Sequence, residues 1–137
     1  RNIDVTTIPM AGAAGGLAGG LATVGANLQS GFEAVSERVD LVNLIEDADL
    51  VITGEGKVDD SSFDGKVVGG VLALADQMKT PAIVIAGSID PNLAMEVPAY
   101  SLKEDVGEEK AFSDTKRSIT KTSRKALVNW SVNPSKG

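Results

Sequence analysis

Two unbroken apolar runs, Leu50-Val51-Ile52-Thr53 and Ala82-Ile83-Val84-Ile85-Ala86-Gly87, constrain this chain more than any other feature. A strand with one face in water alternates apolar and polar residues, whereas a strand without a polar side has both faces covered, as in parallel sheets. Parallel neighbours need a crossover. Between the two runs, Val67, Val71, Leu74 and Met78 share one face of a helix expected over residues 65–78, which supplies it. The fold class that follows is α/β, a parallel sheet with helices on both faces. A weaker third strand is expected over residues 97–102.

The remaining segments read as helices and their caps. Ser30-Gly31-Phe32-Glu33 has capping-box spacing and opens a helix through about residue 39, after which Asp40 caps a second, LVNLIEDA. Ser101-Leu102-Lys103-Glu104 repeats the spacing ahead of a basic C-terminal helical region. Near the start, Leu17, Leu21, Val24 and Leu28 form one helical stripe in a segment crowded with glycine. Each glycine inside a helix costs roughly 0.8–1 kcal/mol against alanine, so close backbone approach to a neighbour or a ligand must compensate. The organisation expected is a Gly-rich helical segment over residues 1–30, a sheet portion over 31–130 and a frayed C-terminus over 131–137.

Composition narrows the chemistry. The 137 residues, long enough to bury a core, contain no cysteine and no histidine, which removes thiol nucleophiles, disulfides, imidazole acid–base chemistry and the usual zinc sites from these residues. A pI of about 4.6 argues against a nucleic-acid surface. Residues 1–102 carry a net charge of −9 and residues 103–137 a net +3, so the basic tail reads as a solvated helix face. Residues 5–32 are uncharged, but their apolar bulk is too thin for a membrane span. No basic segment precedes an apolar stretch with a cleavage site, and cytoplasm is the expected location.

In open parallel sheets, ligands bind beyond the carboxyl ends of the strands, where TGEGKVDDSSFDGK and AGSIDP lie in this sequence. Glu55, between Gly54 and Gly56, is the carboxylate placed to bind Mg²⁺ or to act as a general base. Asp60 and Asp64 read as solvated, with Asp64 capping the next helix. A lysine in the first turn of a helix opposes the dipole unless an anion sits there, which singles out Lys66. Gly65-Lys66 resembles the end of a P-loop, but Asp60 stands where that pattern needs glycine and Val67 where it needs Ser or Thr. The glycines from Gly12 to Gly20 can present N–H groups to a phosphate or allow helices to approach closely. Their spacing matches neither nucleotide fingerprint.

The segments IPMAGAAGGLAGGL, GANLQSGFEAV, DADLVITGEGKVDDSSFDGK and PAIVIAGS, in this order, resemble the glycerate kinase family of bacterial glycerate 2-kinases. Thr53, Gly54, Glu55, Gly56, Asp59, Gly65 and Lys66 match the family pattern. Lys57, Ser61 and Val68 stand where that pattern has Arg, Gln and Pro. The resemblance implies a two-domain fold, with one α/β domain inserted into a flavodoxin-like other. It also implies phosphoryl transfer from ATP, as co-substrate, to D-glycerate with Mg²⁺. The family's amino-terminal D-S-F-K-G-type motif is absent here. The chain is therefore expected to be a C-terminal portion, inactive alone, whose partner is the missing N-terminal part and whose first thirty residues line an interdomain cleft.

Carried over position by position, the resemblance implies catalytic roles for Glu55, Asp59 and Lys66, with Glu55 and Asp59 as metal ligands. It implies substrate or nucleotide contacts at Gly12, Ala13, Ala14, Gly15, Gly16, Thr53, Gly54, Gly56, Lys57, Ser61 and Gly65. The alternative is a catalytically silent α/β module that keeps the sheet for ligand binding or regulation.

Overall fold

A computed structural model describes residues 3–132 of the chain, so most of the segment expected to fray lies outside the described residues. The chain divides into two compact units between Val39 and Asp40, and the helix after Ser30 goes with the glycine-rich segment. No helix among the described residues is long and apolar enough to cross a membrane.

The first unit holds helices α1, Leu17–Thr23, and α2, Gly31–Arg38. The capping box before α2 forms as expected: the Glu33 N–H donates to Ser30 Oγ at 3.0 Å and the Ser30 N–H to Glu33 Oε2 at 3.4 Å. The leucine stripe does not behave as expected. Helix α1 stops at Thr23, and Leu17, Leu21 and Val24 are exposed. Its buried residue is Gly19, whose N–H donates to the Ala11 carbonyl at 2.9 Å and where a Cβ would sit 3.1 Å from that same oxygen. The helix seats through its smallest side chain because only there can the preceding turn come this close.

The second unit begins with α3, Leu41–Glu46. Asp40 before it adopts a left-handed φ of 55°, and its side chain accepts from the Asn43 side chain at 2.8 Å instead of capping the backbone. Strands β1, Val51–Thr53, and β2, Lys57–Val58, lead through a 3₁₀ turn, Asp60–Phe63, to α4, Val67–Met78. Then follow β3, Ala82–Ala86, β4, Ser88–Ile89, β5, Ala99–Ser101, and the helices α5, Leu102–Val106, α6, Glu108–Ser113, and α7, Thr115–Val132.

The main sheet is parallel in the order β1-β3-β5, with Ile52 opposite Ile83 and Ile85 opposite Tyr100. Successive side chains alternate between faces. On one face Val84 and Ala86 pack with Val58 and Val68 in a buried cluster that Leu72 of α4 adjoins. The other face is covered by α7, which packs on β3 and β5. The helix-covered parallel sheet is thus the one the apolar runs demand. The inward face of α4 is rotated from the expected stripe: Val68, Val71 and Ala75 are buried, while Val67 is exposed because it opens the helix at its free end.

Candidate active site

The pairing of β1 with β3 does not stop where the sheet ends. Gly87 donates its N–H to the Glu55 carbonyl and Ser88 to that of Gly56, both at 3.1 Å, before the two segments pair again as β2 and β4. The close approach is possible only without side chains. A Cβ on Gly54 would lie 1.8 Å from the Ile85 carbonyl oxygen, and one on Gly87 would lie 2.4 Å from that of Gly56. These glycines hold Glu55 in a tight crossing of two extended segments, so Gly54 is demanded by packing within the protein.

The crossing forms one wall of a cavity of about 480 Å³ lined by Thr53, Gly54, Glu55, Gly56, Gly87 and Leu102, together with Thr115, Ile119 and Ser123 of α7. Glu55 Oε1 is buried and has no hydrogen-bond partner. A buried acceptor without a donor costs roughly 1–3 kcal/mol, and more when charged, so a donor or a cation reaching this oxygen would relieve that cost. The lining residues from α7 are absent from the sequence reading. Their spacing of four along a helix was the available signal, but their polarity read as a solvated face.

The structure joins four other predicted residues into one chain of polar contacts. Lys66 Nζ donates to Ser61 Oγ at 2.7 Å, Ser61 Oγ donates to Asp59 Oδ1 at 2.6 Å, and Lys57 Nζ lies 3.2 Å from Asp59 Oδ2. The Ser61 hydroxyl, and then Lys57, hold the Asp59 carboxyl below the usual carboxylate range. Its contribution to the turn is therefore complete at neutral pH and is lost only as pH falls through that lowered value. The turn itself is locked, since the Asp59 N–H donates to the buried Ser62 hydroxyl at 3.1 Å and the Ser61 N–H to Asp59 Oδ1 at 3.1 Å.

Gly65, at φ 69°, swings the chain from Asp64 into α4. Lys66 is the residue before the first turn of α4 and makes no side-chain cap, and Asp64 closes the 3₁₀ turn instead of capping the helix. The N–H groups at the start of this twelve-residue helix therefore lack a side-chain acceptor. None of Lys57, Asp59, Ser61 and Lys66 lines the Glu55 cavity, so within this unit the predicted residues form two groups.

In the first unit, Ala14, Gly15 and Gly16 run left-handed in succession, with φ of 52°, 67° and 93°. Positive φ explains glycine at 15 and 16. At Gly12, φ is −73° and a Cβ would meet nothing within 4 Å, so neither conformation nor packing within the protein requires glycine there.

Residues 1–131 match the glycerate kinase family. The chain is 44% identical to glycerate 2-kinase of Escherichia coli K12 over 95 residues, which are 69% of this chain and 25% of that protein. It is 40% identical to glycerate kinase of Bacillus cereus over 113 residues, covering 82% of this chain and 28% of that one. The crystal structure of a chain assigned as glycerate kinase 2 from Salmonella typhimurium LT2 superposes with a TM-score of 0.50 at 33% identity, over 85% of this chain and 33% of that one. The chain thus spans about a quarter of the length of these curated relatives.

Proposed function

This chain belongs to the glycerate kinase family, and from that premise we propose that it is the C-terminal portion of an ATP-dependent glycerate kinase, with Glu55 facing the reacting groups. One observation carries the assignment: Glu55, whose Oε1 is buried without a partner, lines a cavity at the carboxyl ends of β1 and β3. Phosphoryl transfer requires positioned reactants and neutralised charge, with little covalent chemistry from the protein. That is a demand carboxylates, lysines and backbone N–H groups can meet without histidine or cysteine.

Mg²⁺ bound with ATP would neutralise charge on the transferring phosphoryl group. Glu55 fits as its protein ligand. Asp59 fits less well, because Lys57 and Ser61 already engage both of its oxygens. Mg²⁺ takes one or two protein carboxylates and completes its shell with phosphates and water. Asp59 then acts mainly through Ser61, holding that hydroxyl where it receives the Lys66 ammonium. The uncapped start of α4 beside Lys66 suits a phosphate or the glycerate carboxylate. Gly12 in its open turn lets an anionic ligand approach the backbone of the first unit. Turnover draws on more of the family fold than these residues, so the chain alone is expected to be inactive.

The test places the matched part of this chain in place of the matched 95 residues of the Escherichia coli enzyme and follows glycerate-dependent ATP consumption. Glu55→Gln keeps the shape and removes the charge. It should lower kcat by about 10² or more while the melting temperature holds. Unchanged turnover, or a loss of melting temperature with kcat retained, would make Glu55 structural.

A further inference from the structure

Two lysines flank the turn ahead of α4, and they are held in different ways. Lys57 Nζ lies 3.2 Å from Asp59 Oδ2, an ion pair. Lys66 Nζ meets no carboxylate at ion-pairing distance among the described residues. Its anchor is a neutral group, the Ser61 hydroxyl, to which it donates at 2.7 Å. That hydroxyl has a single proton, and Ser61 Oγ donates it to Asp59 Oδ1 at 2.6 Å, while the Ser61 N–H reaches the same oxygen at 3.1 Å. With its proton committed to the carboxylate, the Ser61 oxygen can only accept from Lys66.

Asp59 is thus engaged on both oxygens, by Lys57 on one and by Ser61 on the other. The consequence is electrostatic. A lysine paired directly with a carboxylate has much of its charge cancelled for any third group, whereas one seated on a hydroxyl is fixed in place and remains a full cation. The other N–H groups of the Lys66 ammonium have no acceptor among the described residues, and Lys66 stands at the start of α4, which has no side-chain cap. Lys57 and Ser61 both stand where the family pattern has another residue, so this division of labour is the chain's own.

We propose that Lys57 and Ser61 are coupled positioning residues: Lys57 neutralises Asp59 so that the carboxylate does not draw Lys66 away, and Ser61 holds the still-charged Lys66 for an anionic oxygen of ATP or of glycerate. The inference deepens the reading of the chain as part of a kinase and rests on it. Lys57 contributes here without touching substrate. Its removal leaves an unneutralised carboxylate one hydroxyl away from Lys66, and the ammonium moves from the hydroxyl to the carboxylate.

A loss of that origin is repaired by a second substitution. In the chimaera with the Escherichia coli enzyme, Lys57→Met should lower kcat/KM about tenfold, and adding Asp59→Asn, which removes the capturing charge, should bring it back to within about threefold. Ser61→Ala should cause a similar loss, and Ser61→Thr, which keeps the hydroxyl at an exposed position, should avoid it. The KM that rises, for ATP or for glycerate, tells which anion Lys66 meets. Failure of the double variant to recover would mean that Lys57 or Asp59 touches the ligand itself, and it would overturn the proposal, as would a Ser61→Ala chimaera of undiminished turnover. A second measurement needs no turnover. When the amines of the 137-residue chain are acylated and resolved by mass spectrometry, Lys66 should react at least about threefold more slowly in Lys57→Met and recover with Asp59→Asn, because an ion-paired ammonium is a poorer nucleophile. Lys66 labelling that ignores Lys57→Met would overturn the proposal whatever the turnover. An inactive chimaera with the expected labelling would keep the coupling of Lys57, Asp59 and Lys66 and remove the kinase reading.

Discussion

The crossing of Gly54 and Gly87 and the turn from Gly12 to Gly16 have the same glycine-rich, small-residue character and meet opposite demands. At the crossing the glycines are squeezed, with the backbone of Ile85 or Gly56 where a side chain would be. In the turn, Gly12, Gly15 and Gly16 have nothing within 4 Å of a would-be Cβ, and two of them are set by conformation alone. Glycine density therefore carries no single meaning. Where the space is filled, the residue serves the fold. Where it is open and φ is ordinary, the fold does not require glycine.

Three substitutions set these demands against one another, measured as thermal unfolding of the chain. The largest effect is expected at the crossing. Gly54→Ala puts a methyl group 1.8 Å from a carbonyl oxygen and forces β1 and β3 apart, so stability should fall by about 3 kcal/mol or more. A loss below about 1 kcal/mol would mean that the crossing yields and that Gly54 resembles the open turn. Next comes Gly16→Ala, which leaves packing untouched but imposes φ 93° on an alanine, for an expected loss of about 1–2 kcal/mol. An effect as large as that at Gly54 would dissolve the distinction between filled and open glycines. The smallest effect, of the opposite sign, is Gly12→Ala. The φ of −73° suits alanine, so stability should rise by roughly 0.4–1 kcal/mol. On the proposed function, the same substitution in the Escherichia coli chimaera should weaken binding of the anionic ligand, measured with ATP. Stabilisation with unchanged nucleotide affinity would leave the glycine at position 12 without a role in binding.

Some of the site was legible in the residues themselves. The strand end at Thr53 and the helix after Lys66 follow from local patterns, an apolar run and a periodicity, whereas the turn capped by Asp59 did not. Glu55 stood out by its neighbours, and its Oε1 is buried without a partner. Other features lacked a local pattern. Strands β2 and β4 are two residues each, too short for any alternation to register, and exist because the crossing has already brought their backbones together. The leucines of α1 carry helical spacing but face outward, since Gly19 wins the contact with Ala11 by proximity.

By itself the sequence determined that the chain is α/β, that its main strands are parallel and that its chemistry must come from carboxylates, lysines, hydroxyls and backbone groups. Those conclusions depend on which residues are present and on their period along the chain, and both survive without coordinates. Only the tertiary structure decided which glycines are squeezed and which are open, that Thr115, Ile119 and Ser123 share a wall with Glu55, and that Ile83 is covered while Ile52 is not. Each of these depends on distances between segments far apart in sequence. Burial and hydrogen-bond satisfaction are set by such pairings, so two isoleucines, or two glycines, of identical local character acquire opposite roles.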